Sequence, residues 1–217
     1  MTNRHIRVKY NNETTIRSKR FCFDFTQQGG YQIIIIRHGE TLENRNRIIQ
    51  GHLPGQLTEV GKQQVKELCR KLVKYRRFNQ IISSDSERAK ETAKLISEEI
   101  PRCKIRHTAQ LRERCYGVLQ GQSLYRLKRL LVKNKTDIRG LIIPDGEQYE
   151  DFELRIMNFY NGLIAGKSHR EVILVAHSGV LGVISEKVFG VKIRNIGNCE
   201  GFLIPAKVSP DMKLCKL

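Results

Sequence analysis

The sequence predicts an α/β fold in which a mostly parallel sheet is covered by helices on both faces. Two nearly uninterrupted apolar runs, at residues 31–36 and 172–176, are rich in β-branched side chains. Such runs are typical of strands that are buried on both faces of a sheet. The segments between them carry apolar residues at helical spacing, and strands that alternate with amphipathic helices assemble into a parallel sheet.

The other elements follow from local patterns along the chain. The alternation of Phe21, Phe23 and Phe25 predicts a short strand, added at an edge of the sheet. Thr58 is the expected N-cap of a helix, since apolar residues recur at helical spacing after it. The remaining predicted strands are at 80–83, 104–108, 201–205 and 213–217, and the remaining predicted helices are at 86–100, 124–132 and 150–164.

Charge and glycine content divide the chain into two parts. The formal charge is +17, and residues 1–30 contribute +4 of it through six basic and two acidic side chains. Because Gly29 and Gly30 end this polar stretch, we predict a basic N-terminal extension over residues 1–30 and a domain over residues 31–217. The remaining +13 (17 − 4) lies on the domain and is compatible with nucleic acid, an anionic membrane or an anionic small substrate.

Several classes of protein are not expected. The longest apolar run is too short to span a membrane and the first residues lack the apolar core of a signal peptide, so we expect a cytoplasmic protein. The six cysteines form no C-x-x-C pair, so reduced thiols and no metal site are expected. Aromatic residues do not interleave with basic ones as in nucleic-acid-binding motifs, which argues against a nucleic-acid partner. The sequence predicts no oligomeric state.

Polar side chains lie where several predicted strands end. Arg37 and His38 follow the first apolar run, and His177 follows the second. Arg88 opens a helix after another strand, and Glu113 lies in a further polar segment. Carboxyl ends of parallel strands meet at one edge of a sheet, where ligands bind. Arginine forks match phosphate oxygens, a neutral histidine can attack phosphorus and a carboxyl group can protonate a leaving oxygen, so the pattern indicates chemistry on a phosphoryl group.

Six segments in the same order resemble the histidine phosphatase superfamily, which has the phosphoglycerate mutase-like fold. The resemblance extends from about residue 33 to the C terminus. The hallmark segment is RHGETLEN, and the other five are QGHLPGQLTEVGKQQ, SSDSERAKETA, LRERCYGVLQG, DGEQYEDFELRI and VAHSGVL. The resemblance implies a metal-independent phosphatase that hydrolyses a phosphomonoester of a small anionic substrate through a phosphohistidine intermediate.

The resemblance also implies a role for each matching residue. His38 is expected to be the nucleophile that becomes phosphorylated. Glu113 is expected to protonate the leaving group and then to act as a base toward water. The residues expected to contact the phosphoryl group, through side chains or the main chain, are Arg37, Asn44, Arg88, His177 and Ser178. No metal and no other cofactor is implied.

Three alternatives remain open at this point. Glu147 is a second carboxylate that could replace Glu113 as the proton donor. A phosphoglycerate-type mutase is possible within the family, although the stretch 121–145 is shorter than in its glycolytic mutases. A weakly catalytic module that binds phosphorylated or nucleic-acid partners is the third alternative, and the charge of +17 supports it. Ser178 stands where the family usually has glycine, and Gln148 where it has serine.

A basic segment after the Glu113 region predicts a lid over the phosphate pocket. On a helix, Arg126, Arg129 and Lys133 share one face. The opposite face carries three leucines that are expected to pack down, Leu124, Leu127 and Leu131. A cationic face above a phosphate pocket favours a small substrate with more than one anionic group.

Overall fold

The fold is that of a computed structural model, which describes residues 32–73, 78–166, 171–193, 196–205 and 215–216. The strand predicted at 21–25 and the extension predicted at 1–30 lie outside these residues. Within them, no helix is both long and apolar enough to cross a membrane. The cytoplasmic location and the division at residue 30 therefore stay predictions.

A six-stranded, mostly parallel sheet forms the centre of the described fold, in the order β3-β2-β4-β1-β5-β6. The strands are β1 (Gln32–Arg37), β2 (Gln80–Ser84), β3 (Lys104–Thr108), β4 (Glu171–Ala176), β5 (Gly201–Pro205) and β6 (Cys215–Lys216). The four strands β3, β2, β4 and β1 are mutually parallel, and β5 runs antiparallel to β1. The predicted α/β class and the mostly parallel sheet are confirmed.

The described part of the chain contains six α-helices. They are α1 (Leu42–Arg45), α2 (Glu59–Leu72), α3 (Glu87–Glu99), α4 (Leu124–Lys133), α5 (Tyr149–Ala165) and α6 (Ser178–Phe189). Thr58 caps α2 as predicted, because its hydroxyl oxygen accepts the Gly61 N–H at 3.0 Å. Helices α1 and α6 were not predicted.

Strand β1 shows how both faces of the sheet are filled. Its isoleucines 33–36 are each at most 2% exposed and alternate between two cores. Ile33 and Ile35 belong to the core that includes residues of α5 and α6, and Ile34 and Ile36 to the core that includes residues of α2 and α3. Each fully buried isoleucine contributes about 1.5–3 kcal/mol relative to an exposed one. The strand is therefore a rigid support for the residues that follow it.

Helix α4 packs on a third, smaller core rather than on the sheet. Leu127 belongs to this core together with Ile49, and Leu131 is partly buried against it. Leu124, which was predicted to pack down, is 38% exposed because it lies in the first turn, beyond the edge of the core. Four cysteines in the described residues are free: Cys69, Cys103, Cys115 and Cys199.

Candidate active site

The sheet register brings the two strand-end histidines together. Arg37 at the end of β1 is paired with Ala176 at the end of β4, so His38 and His177 follow at the same level. The His38 main-chain N–H also donates to the Ala176 carbonyl at 3.0 Å. The two imidazole rings meet edge to face, with centroids 5.2 Å apart. The predicted convergence of the two strand ends is therefore present.

The hydrogen bonds of His38 define which ring nitrogen is free to react. Nδ1 lies 2.7 Å from the Gly39 carbonyl oxygen, which can only accept, so Nδ1 carries the proton. Nε2 then has the lone pair, and it accepts the Nε–H of Arg88 at 3.3 Å. Burial, together with the charges of Arg88 and Arg37, lowers the pKa of His38 well below its ordinary value. His38 is therefore neutral at pH 7, and its unprotonated ring nitrogen is Nε2.

His177 carries its proton on the other ring nitrogen, Nε2, which contacts two serines. Its Nδ1 accepts from Arg88 Nη2 at 3.3 Å, because a guanidinium can only donate. Its Nε2–H therefore donates to Ser84 Oγ at 3.0 Å, and Ser86 Oγ lies 3.3 Å from the same atom. Burial and the Arg88 charge also lower the pKa of His177 well below its ordinary value. The serines were not predicted as site residues, although the segment SSDSERAKETA contains both.

Arg88, which is buried, and Arg37, which is partly buried, supply two positive charges beside the histidines. Arg88 lies in the first turn of α3, is 1% exposed and donates to the carbonyl oxygens of Gly51 (2.8 Å) and Leu53 (2.9 Å). Burial lowers the pKa of Arg88 to about 10, so it stays charged at neutral pH. Arg37 donates from Nη1 to the Ile196 carbonyl at 2.6 Å. Its buried Nε has no hydrogen-bond partner among the residues described, which leaves one donor for an anion.

Glu113 lies across the site on a loop that is fixed at several points. Its carboxylate oxygens accept the main-chain N–H groups of Arg114 and Gly179, each at 3.0 Å. Its own carbonyl oxygen accepts from His52 Nε2 at 2.8 Å and from Arg155 Nη2 at 3.4 Å. The Glu113 charge also raises the pKa values of Arg37 and Arg88, which burial lowers. The carboxylate is therefore in electrostatic contact with the two arginines that the sequence predicted beside it.

Glu147, the alternative proton donor, is occupied by an ion pair. Arg155 donates from Nε and Nη2 to its two carboxylate oxygens, both at 2.9 Å. The same guanidinium donates from Nη1 to the carbonyl oxygens of Gln110 (2.7 Å) and Arg112 (3.2 Å). Glu147 and Arg155 thus brace the loop that carries Glu113, and this geometry favours Glu113 as the carboxylate that reaches substrate.

The two remaining predicted residues lie close to the histidines in different ways. Asn44, in α1, accepts from Asn198 Nδ2 at 2.9 Å, and that amide also lies 3.1 Å from the His38 carbonyl oxygen. Asn44 is thus linked to His38 through Asn198, which the sequence did not single out. Ser178 is the first residue of α6 and follows His177, the N-cap. Its main-chain N–H is among those at a helix start that have no partner within the helix and favour an anion.

A cleft opens beside Glu113. It has a volume of about 210 Å³, and the residues that line it are Gly51, His52, Leu53, Pro54, Asp85, Ser86, Glu87, Arg112 and Glu113. None of these nine residues belongs to α4, so the predicted lid helix does not form part of this wall. Within the described ranges, no group of three or more histidine, cysteine or acidic side chains is placed to hold a metal ion.

Comparisons with known proteins match the chain to one family and its fold. The family model for the histidine phosphatase superfamily (branch 1) matches residues 33–204. The chain is 30% identical to phosphoglycerate mutase-like protein 4 of Arabidopsis thaliana, over 76% of this chain and 74% of that protein. It is 34% identical to fructose-2,6-bisphosphatase TIGAR of Xenopus tropicalis, over 71% of this chain and 59% of that protein. A solved structure of a mycobacterial glucosyl-3-phosphoglycerate phosphatase superposes with a TM-score of 0.68 at 25% identity, covering 80% of this chain and 90% of that one.

Proposed function

The chain belongs to the histidine phosphatase superfamily, and on that basis we propose that it hydrolyses phosphomonoesters of small molecules through a phosphohistidine on His38. One observation carries the proposal. The bond from Nδ1 to the Gly39 carbonyl leaves the lone pair of Nε2 beside the buried guanidinium of Arg88. A neutral nucleophile adjacent to a fixed positive charge is the arrangement that an attack on a phosphate dianion requires.

In the first step, His38 Nε2 forms a bond to phosphorus as the bond from phosphorus to the leaving oxygen breaks. Arg88, the free Nε–H of Arg37 and the main-chain N–H of Ser178 stabilise the charge on the phosphoryl oxygens. Glu113 donates its proton to the leaving oxygen, so that an alcohol rather than an alkoxide departs.

In the second step, water replaces the alcohol. Glu113, now a carboxylate, accepts a proton from the water, whose oxygen attacks phosphorus and releases inorganic phosphate and neutral His38. His177 contributes to the same pocket, with its Nε2–H held by Ser84 and Nδ1 directed at Arg88. No step requires a metal ion, so we expect turnover to persist after treatment with a chelator.

A leaving-group comparison tests the role of Glu113. A good leaving group departs without a proton, so Glu113→Gln should slow an alkyl phosphate by about 10²- to 10³-fold and a nitrophenyl phosphate much less. Glu147→Gln is the matched control, because it removes the partner of Arg155 and should affect both substrates alike. Unequal slowing in Glu147→Gln and equal slowing in Glu113→Gln would identify Glu147 as the proton donor.

Product analysis separates hydrolysis from the two alternatives. A phosphatase releases one inorganic phosphate for each ester consumed, and we expect that ratio. Transfer of the phosphoryl group to a second position of the substrate would indicate a mutase. Binding of phosphate esters without turnover would indicate the weakly catalytic module.

A further inference from the structure

The cleft beside Glu113 is placed to hold the part of the substrate that is not transferred. Glu113 and Ser86 both belong to its wall, and Ser86 Oγ lies 3.3 Å from His177 Nε2. A phosphoryl group bonded to His38 whose leaving oxygen takes a proton from Glu113 would thus have that oxygen at the wall of this cleft. We propose that the cleft selects a phosphomonoester whose alcohol portion carries no second anionic group. The proposal rests on the function proposed above, because it assigns the leaving group of the same reaction.

The wall of the cleft is acidic, although the protein carries a formal charge of +17. Three of its side chains are carboxylates, namely Asp85, Glu87 and Glu113. Glu87 is exposed and makes no ion pair with any residue that the structure describes. His52, on the same wall, donates its Nε2–H to the Glu113 carbonyl oxygen at 2.8 Å. Glu113 holds its proton while the ester is bound, so a carboxylate or second phosphate on the leaving group would meet the like charges of Asp85 and Glu87.

Arg112, the one arginine in this described wall, is already paired. Its Nε and Nη2 donate to the two carboxylate oxygens of Asp85, at 2.7 and 2.6 Å. The hydrogen bond to Arg112 lowers the pKa of Asp85, so the carboxylate stays ionised at neutral pH and keeps the guanidinium engaged. Arg155 also fixes the main chain of Arg112 through its carbonyl oxygen. Recruitment of Arg112 by a substrate anion would break a bidentate pair, which is among the stronger side-chain interactions.

The rest of the wall suits a small uncharged alcohol. The Ser86 hydroxyl can donate to or accept from a substrate hydroxyl. Leu53 and Pro54 supply an apolar surface next to it. The volume of about 210 Å³ is below the roughly 300 Å³ at which pockets for drug-sized ligands begin. A short polyol or a single sugar ring is the class of leaving group that this combination favours.

The basic face of α4 acts on substrates over a longer distance than the residues of the cleft do. Arg126, Arg129 and Lys133 are exposed, and Arg126 donates to Gln122 at 3.1 Å rather than to a residue of the cleft. Such charges attract phosphate esters over roughly one Debye length, about 10 Å at 0.1 M salt. The Asp85–Arg112 pair acts by contact. The basic helix led us to expect a substrate with a second anionic group. The proposal made here is instead that the cleft prefers a leaving group without one.

Two three-carbon substrates test the proposal. Glycerol 3-phosphate and 3-phosphoglycerate differ in that a carboxylate replaces an uncharged CH₂OH. We expect the wild-type enzyme to favour glycerol 3-phosphate in kcat/KM by about tenfold, on the scale of one like-charge contact near a protein surface. Asp85→Asn frees the Arg112 guanidinium while keeping the side-chain size, so that preference should shrink at least about threefold.

A matched substitution controls for charge in general. Like Asp85→Asn, Glu98→Gln removes one negative charge, but it does so near the far end of α3. Glu98 lies eleven residues, about 16 Å, along the helix axis from the wall residue Glu87. This variant should leave the preference unchanged. A wild-type preference for 3-phosphoglycerate, or a ratio that Asp85→Asn does not move, would overturn the inference alone, since both substrates would still be hydrolysed. Absence of turnover on both esters and on nitrophenyl phosphate would overturn the proposed function and this inference together.

Discussion

His38 and His177 are each held in one tautomer by a partner with a single hydrogen-bonding role. The Gly39 carbonyl can only accept from His38, and the Arg88 guanidinium can only donate to His177. Neither histidine needs a positive charge to satisfy its neighbours, and burial beside Arg88 and Arg37 disfavours one. The same contacts that fix each tautomer and leave one ring nitrogen unprotonated therefore keep both rings neutral.

The lowered pKa values predict an acid-sensitive fold. In the unfolded chain both histidines bind a proton near pH 6.5, whereas in the folded chain they stay neutral to lower pH. Because the unfolded state binds more protons, stability is complete above pH 6.5 and falls as the pH drops below it. Between pH 7.5 and 5.5 we expect a loss of up to about 1.4 kcal/mol per histidine, measured by urea unfolding without phosphate.

A double variant isolates this effect from other titrating groups. His38→Asn with His177→Asn cannot bind the two protons, so its stability should fall less between the same pH values. An identical fall in wild type and double variant would show that neither buried histidine is responsible.

Several residues that support the site could not be predicted because their role depends on distant parts of the chain. Asn198 follows no regular pattern, yet it joins Asn44 to the His38 main chain. Arg155 looks like an ordinary polar residue of an amphipathic helix, but it reaches back to the carbonyl oxygens before Glu113. His38, Arg37 and His177 were predictable because each directly follows or ends a buried strand.

At the scale of elements, helix α6 positions the candidate proton donor. The N–H of Gly179, in its first turn, donates to a Glu113 carboxylate oxygen at 3.0 Å. A methyl group at Gly179 would overlap the other carboxylate oxygen of Glu113 and touch the Phe152 ring at 3.0 Å. The close approach of α6 to the loop of Glu113 therefore requires glycine at this position.

Two alanine substitutions in α6 test this requirement. Gly179→Ala should displace the carboxylate and lower kcat/KM by about 10- to 100-fold, since catalysis is sensitive to misplacement on the ångström scale. Gly182→Ala is the control in the same helix, because nothing lies within 4 Å of its added carbon. It should keep full activity and gain about 0.5–1 kcal/mol of stability from helix propensity. Equal activities in the two variants would contradict the role assigned to Gly179.

Elements in which apolar residues recur at a clear period were predicted to within about two residues of their ends. Helix α6 was not predicted at all. Strands β3 and β5 have the predicted bounds, and α3 and α5 each differ from prediction by one residue at either end. In α6, buried Val180, Leu181, Val183 and Ile184 leave no polar face of helical period. β-Branched residues and two glycines in this run are also unfavourable for a helix, so tertiary packing decides its conformation.

At the scale of the whole molecule, one edge of the parallel sheet carries the candidate site. The carboxyl ends of β1, β4 and β2 supply His38, His177 and Ser84 side by side. Helices α3 and α6 begin at the same edge, and their first turns contribute Arg88 and Ser178. The fold class thus determines which edge carries the candidate site, and the sequence predicted that edge.

The predicted extension over residues 1–30 should be dispensable for catalysis. Every residue placed at the site lies within residues 37–198, and β1 begins at Gln32. Protein that starts at Gly30 should therefore keep its turnover of nitrophenyl phosphate. A soluble, folded but inactive shortened protein, judged by circular dichroism, would contradict the proposed boundary.

Direct trapping of phosphohistidine tests the central claim, that His38 is the nucleophile. Brief exposure to a ³²P-labelled phosphomonoester, followed by denaturation in alkali, should leave an acid-labile, base-stable label on the wild-type protein. His38→Ala should lose the label and several orders of magnitude in turnover, whereas His107→Ala, on the exposed strand β3, should keep both. A label that survives in His38→Ala, or near-native turnover of that variant, would contradict the account.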